Sequence, residues 1–340
     1  MKRTILYVVL AFIVAPIFVS CYQSHKKKLD LAYALVESRP DSALALMKHI
    51  DQEGLSKEEM AKYALTYYIA QDKSGLDLDN DSLIRIAYDW YEGHQEDSLY
   101  VLCLNYMGKF YLLVDSMEQA KSCLEKAYFI SDSLHKMNVK RLVLDKLIEV
   151  EEQLEPYKAL RYAKDMLKMY DSMANVTIYN KVAARLRLGE NFFYVDSLQH
   201  ALEEERKAYR MAMKAGDSNL LSYVRQNLAS TFEEMGEKDS CLYYARLAYD
   251  LNAANRFSCL LTFASAYISV DSLNQAFSLL NQALPKTAED RYSVFYFQSQ
   301  AAMKAQDFKS AKSFSDSAYH YLEDMYRTAL QGKAAYYTSF

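Results

Sequence analysis

Beyond residue 28 the chain is a succession of amphipathic runs, with apolar residues returning every three or four positions and short polar turns between them. That period predicts helices rather than strands. Within the runs a finer pattern recurs: a small residue, a bulky ring three places on, and two further small residues in the next run. Gly108, Tyr111, Ala120 and Ala127 make one copy, and Gly189, Phe192, Ala201 and Ala208 another. Ala229, Phe232, Cys241 and Ala248 make a third, with Gly236 in the turn, where a helix C-terminus favours glycine. Ala264, Tyr267, Ala276 and Ala283 make a fourth, closed by Pro285; Ser299, Ala302, Ala311 and Ala318 make a weaker fifth. The physical sense is close approach: small residues let two antiparallel helices come together, and the ring fills the wedge against the next pair.

Between these copies lie degenerate ones. Residues 147–166, with Pro156 and Ala159, fit a pair that has lost its small residues. Residues 62–71 and 81–92 read as two helices joined by the polar loop 72–80, and Arg39-Pro40-Asp41 places a proline at a helix start. Asp-Ser recurs at 41, 115, 196, 239 and 271, each time opening an amphipathic run. An Asp or Ser in that place is expected to cap the helix by accepting from its first-turn amides.

The spacing of small and ring residues resembles the tetratricopeptide repeat. The resemblance implies an all-α fold, a right-handed α-solenoid of about eight antiparallel helix pairs, with degenerate repeats over 29–97, the regular array over 98–328 and a C-terminal tail at 329–340. In that repeat several positions of each first helix line a concave groove. Here they are Asn105, Tyr106 and Lys109, then Arg187, Glu190 and Tyr194, then Tyr223, Gln226 and Asn227, and finally Tyr296 and Gln300. Tyrosines with amides and a few charges suit a protein or peptide partner. The Lys/Arg and Asn set that clamps chaperone C-termini is incomplete, with only Asn105 and Lys109 in place. The segments Ser38-Arg-Pro-Asp-Ser-Ala-Leu, Tyr63-Ala-Leu, Gln71-Asp-Lys and Asp81-Ser-Leu-Ile are similar to those of tetratricopeptide lipoproteins of Bacteroidota and their membrane-bound relatives.

The N-terminus is read as an address. Lys2-Arg3 precedes an apolar stretch from residue 5 to 19, about the length of a secretory signal core and shorter than a membrane span. Ile17-Phe18-Val19-Ser20-Cys21 resembles the lipobox of bacterial lipoproteins, which implies a signal peptide over 1–20, a lipid on Cys21 and a tether over 21–28. An ordinary secretory signal and an uncleaved anchor are the alternatives. The expected location is the cell envelope, lipid-anchored at the outer membrane and facing the periplasm, since no acidic stretch follows the cysteine.

Composition narrows the chemistry. Only 8 glycines and 4 prolines in 340 residues exclude a turn-rich sandwich or barrel. A net charge of −4 gives no general affinity for nucleic acid. The six histidines form no zinc motif, and Asp77, Asp79 and Asp81 lack the glycine and distal glutamate of a calcium loop. No phosphate-binding or hydrolase motif is present, so no cofactor, no metal and no catalysis are expected. Cys103, Cys123, Cys241 and Cys259 sit within helical runs and are expected as free, packed thiols. The function expected is a lipid-anchored scaffold or adaptor that binds proteins. A shortened sensory ectodomain and a glycan-capture lipoprotein are the alternatives, the latter disfavoured by a single tryptophan, Trp90.

Overall fold

The computed structural model describes residues 26–76, 78, 82–94, 98–134, 137–174 and 176–338. The signal segment, Cys21, most of the tether and the three alternating aspartates lie outside them. The described residues form sixteen α-helices and no strand. They pair in chain order: α1 (26–35) with α2 (Pro40–Met47), α3 (Lys57–Lys73) with α4 (Ser82–Tyr91), α5 (Ser98–Leu113) with α6 (Met117–Ser133), and α7 (Met137–Leu154) with α8 (Pro156–Ser172). Then come α9 (Ile178–Tyr194) with α10 (Leu198–Ala215), α11 (Ser218–Glu234) with α12 (Lys238–Tyr249), α13 (Arg256–Ser269) with α14 (Leu273–Leu280), and α15 (Ala288–Lys304) with α16 (Phe308–Thr338). These are the expected eight pairs. They fall into two compact units, divided between Lys146 and Leu147. The line at 97/98 separates repeats by the quality of their pattern, and the compact units divide elsewhere.

The small residues act as the pattern requires. Ala120, Ala127, Ala201, Ala208, Cys241, Ala264 and Ala276 are fully buried. A Cβ on Gly108 would meet Leu124 Cγ of α6 at 2.6 Å, so α5 and α6 touch in the one place where only glycine fits. In the second unit Val182, Leu186, Leu202, Leu228 and Phe263 gather α9 to α13 into one core. The ring of the third copy, Phe232, stacks on Tyr244 with centroids 5.6 Å apart, and that of the fourth, Tyr267, stacks on Phe263 at 4.5 Å. Ala283 is an exception. The helix α14 stops at Leu280, leaving Ala283 half-buried in the following loop.

The Asp-Ser turns work differently from expectation. Ser116, Ser197 and Ser272 stand at N-caps without any side-chain cap bond. Instead Asp115, Asp196 and Asp271 adopt left-handed backbone, with φ of 54°, 56° and 62°, and so close the helix before them. The amide of each aspartate donates to a carbonyl three residues back, at 3.1, 2.9 and 3.2 Å. The next serine's amide reaches the ring residue's carbonyl: Ser116 to Tyr111 at 2.8 Å, Ser197 to Phe192 at 2.8 Å and Ser272 to Tyr267 at 2.9 Å. Gly236 and Gln306 hold the equivalent left-handed place in the other two copies. This is the Schellman arrangement, and Asp tolerates it better than most side chains because its short polar group hydrogen-bonds locally. Asp41 and Asp239 lie inside the first turns of α2 and α12, where a carboxylate suits the helix dipole. Side-chain caps occur elsewhere, at the starts of first helices: Ser56 and Thr287 form capping boxes, and Asp217 accepts from the amides of Asn219 and Leu220.

Three boundaries moved. The capping box at Ser56 starts α3 five residues before the expected 62, and α16 continues as helix through Thr338, where a tail was expected. Lys26 to Lys28, expected in the tether, form the opening turn of α1. Among the described residues no helix is long and apolar enough to cross a membrane. None of the four described cysteines is in a disulfide. Burial pushes the Cys123 thiol up to about 11 and that of Cys241 up to about 12, which makes them poor nucleophiles.

Candidate functional site

In the second unit the first helices α9, α11, α13 and α15 are successive neighbours, and together they present one face. Hydrogen bonds cross this face from helix to helix. Asn191 of α9 donates to Glu152 of α7 at 2.9 Å, and Arg187 lies 3.4 Å from the same carboxylate and 3.6 Å from Glu190. Asn227 of α11 donates to Glu190 at 3.0 Å. Gln226 donates to the Ser258 hydroxyl of α13 and accepts from Asn255 at 2.8 Å. Ser265 of α13 donates to Glu233 of α11 at 2.6 Å. Finally Lys304 of α15 reaches back to the carbonyls of Ile268 and Ser269 at 2.5 and 3.2 Å, and to Asp271 at 3.0 Å.

Rings stand beside this ladder. Tyr194 is 57% exposed, Tyr223 43% and Tyr296 43%, and Tyr296 stacks on Tyr292. At the α15 end Glu233, Ser265, Tyr296, Gln300, Met303 and Lys304 line a cleft of about 700 Å³. The carboxyl of Glu152 is held above its ordinary range, chiefly by burial, with Arg187 and Asn191 opposing. The Tyr194 phenol is raised for a related reason, burial first and then the charges of Glu152 and Glu190.

Of the residues expected to line a groove, Arg187, Glu190, Tyr194, Tyr223, Gln226, Asn227, Tyr296 and Gln300 lie on this one face. Within the first unit, two of the three expected residues are buried and the third is paired. Asn105 and Tyr106 are 5% and 4% exposed, and Tyr106 meets the Tyr68 ring of α3 edge-on. Lys109 is ion-paired with Asp72. Residues that sequence reasoning passed over include Glu233 and Lys304, near the ends of their helices, which the repeat register could have placed. Glu152 sits in the degenerate pair, where no register was assigned.

Below the face lies a residue with no counterpart in the other copies. Glu205 of α10 is 1% exposed and packs under Gly189, whose added Cβ would meet Glu205 Cγ at 3.2 Å. Thr231 of α11 donates to its Oε1 at 2.8 Å, while Oε2 is buried without a partner. Burial pushes this carboxyl up to about 7, with Glu190 adding to the rise and Thr231 opposing it.

The face offers paired donors and acceptors, without a nucleophile held by a base. Ser197 lies 2.9 Å from His200 Nδ1, but both are at the exposed start of α10, where the His200 ring stacks on Phe192. Among the described residues no cluster of His, Cys, Asp or Glu is placed to hold a metal ion.

No protein-family model matches the chain, and no curated protein matches it. Its likeness is to solved structures. The apo form of RapI shares 14% identity with a TM-score of 0.67, over 88% of this chain and 86% of that one. A Rap protein in complex with competence and sporulation factor shares 14% with a TM-score of 0.59, over 91% and 99%. NprR in complex with its cognate peptide NprX shares 15% with a TM-score of 0.59, over 85% and 86%. Identities this low speak for the fold alone. That fold is an all-α helical-repeat solenoid of the tetratricopeptide type.

Proposed function

We propose that this chain is a protein-binding scaffold or adaptor of the bacterial cell envelope, which takes an extended segment of its partner along the first-helix face of the second unit. The observation that carries this reading is the unbroken polar ladder from Glu152 to Lys304 beside three exposed tyrosines. Internal packing alone needs neither half-exposed rings nor a row of amides at the surface. Two proteins of like fold, a Rap protein and NprR, are bound to competence and sporulation factor and to the peptide NprX respectively, which supports a peptide-like ligand here.

The lipobox-like run ending at Cys21 supports anchoring by lipid, at the outer membrane and on its periplasmic side. A diacylglycerol with a further acyl chain holds a protein on a membrane stably, because each buried CH2 contributes about 0.8 kcal/mol. The test has two parts. Tagged protein is crosslinked in its native host, and the partner recovered is expected to disappear when Tyr223, Gln226 and Asn227 are each replaced by alanine. Cys21→Ser is expected to move the protein out of the membrane pellet; a variant that still sediments with membranes overturns the anchor.

A further inference from the structure

We infer that the segment bound by the second unit is basic, with arginine or lysine side chains about three residues apart, and that Glu190 and Glu233 receive them. This rests on the proposed binding face and adds the chemistry of its ligand. The inference starts from how charge is neutralised along the ladder. Glu152, Glu190 and Glu233 enter the ladder against Arg187 and Lys304, while Arg185, Arg225 and Arg256 of the first helices pair away from it, with Glu204, the Leu247 carbonyl and Asn252. Arg187 is divided between two carboxylates, neither closer than 3.4 Å. Lys304 lines the same cleft as Glu233 but is bonded to Asp271 and the last carbonyls of α13. Glu233 is therefore held by a neutral donor, Ser265, and Glu190 by Asn227 with only a share of Arg187 at 3.6 Å. A neutral donor orients a carboxylate but leaves its charge in place.

A neighbour feels that surplus: after burial, the charges of Glu152 and Glu190 raise the Tyr194 phenol, with Arg187 opposing. A cation relieves it, and the rings of Tyr194, Tyr223 and Tyr296 offer faces for a guanidinium to stack on. The spacing follows from the fold. Adjacent packed helices lie roughly 8–10 Å apart. A chain in the extended polyproline II conformation rises about 3.1 Å per residue with about three residues per turn, so side chains three residues apart share one face and stand about 9 Å apart, as successive helices do. An acidic segment would set like charges together along the whole face.

The test uses the full chain in detergent and three pools of fluorescent decapeptides with equal tyrosine and leucine content. One pool carries arginine at two positions three apart, one glutamine there, and one glutamate. The basic pool is expected to bind at least about tenfold more tightly than the acidic pool, and to lose that advantage at about 0.3 M salt. The Glu190→Gln/Glu233→Gln variant keeps both acceptor oxygens for Asn227 and Ser265, so it is expected to fold as the parent does and to lose the preference. A melting curve checks the folding. Equal binding of the glutamine pool, abolished by Tyr223→Ala, leaves the binding face standing and overturns the basic partner. Failure of all three pools at about 1 mM overturns both.

Discussion

A buried carboxyl that titrates near neutrality makes stability depend on pH in a way that one substitution can remove. Glu205 is enclosed between α9, α10 and α11, with Thr231 donating to one oxygen, the other unpartnered, and Glu190 the nearby like charge. Its titration point moves from 4.5 to about 7 on folding. Below the lower value both folded and unfolded chains hold the proton, and the group contributes no pH dependence. Between the two the folded chain holds more protons than the unfolded one, so stability falls as pH rises. Above the upper value the full cost is in place, about 3 kcal/mol from the difference between the two titration points. Glu205→Gln is neutral throughout and keeps an oxygen for Thr231, but it buries an amide NH2 without an acceptor, at a constant cost of about 1 kcal/mol. The variant is therefore expected to match the parent closely at pH 5, where ionisation has already cost the parent about 0.8 kcal/mol, and to be the more stable one, by about 2 kcal/mol, at pH 8. Urea denaturation followed by helical circular dichroism at both pH values measures this. Hydrogen exchange over α10 shows whether the change is local. A difference between parent and variant that is the same at pH 5 and pH 8 would refute the reasoning.

Four further substitutions probe the packing and the helix ends. Gly108→Ala drives a methyl to within 2.6 Å of Leu124 Cγ, and overpacking of that kind is expected to cost about 1–3 kcal/mol, which exceeds the helix-propensity gain of alanine. Gly189→Ala, with its nearest contact at 3.2 Å, is expected to be the milder change, and thermal melts of the two variants compare them directly. Asp196→Gly relieves a left-handed residue and is expected to stabilise by up to about 1 kcal/mol in denaturant titration; a loss instead would show that the carboxylate matters there. Asp217→Ala removes the acceptor for two amides at the start of α11 and is expected to cost about 1 kcal/mol, seen as faster exchange at Asn219 and Leu220.

The helix pairing was legible because it depends on what cannot be large. Gly108, Ala120 and Ala201 stand where backbones approach, and few other residues fit. Turn chemistry was less legible. Asp-Ser suits a helix start and a left-handed helix stop alike, and the choice depends on whether the preceding helix is closed by a Schellman turn at that residue. The Asn105 and Tyr106 positions failed as surface for a reason present in the sequence. Tyr100 to Gly108 are all buried, so α5 is enclosed on every side, whereas the repeat register presumes one open face. Glu152 could not be found from the pattern, because its helix lacks the small residues that set a register.

The ladder also bears on how a partner must bind. Hydrogen bonds between first helices come largely from positions that the repeat register turns toward a ligand, and their chemistry changes along the face. Carboxylates with arginine and asparagine link α7, α9 and α11. Amide with hydroxyl, and the Glu233 carboxylate with Ser265, link α11 to α13, and lysine to backbone carbonyl links α13 to α15. A ligand that merely offered amides would exchange one neutral hydrogen bond for another, with little net gain. One that brings positive charge adds an interaction that the neutral donors Asn227 and Ser265 do not supply, without displacing them. Selectivity on this face therefore comes from charge and from ring stacking rather than from hydrogen-bond count. The Glu190 and Glu233 carboxylates should accordingly govern which segment binds, and Tyr194, Tyr223 and Tyr296 how tightly.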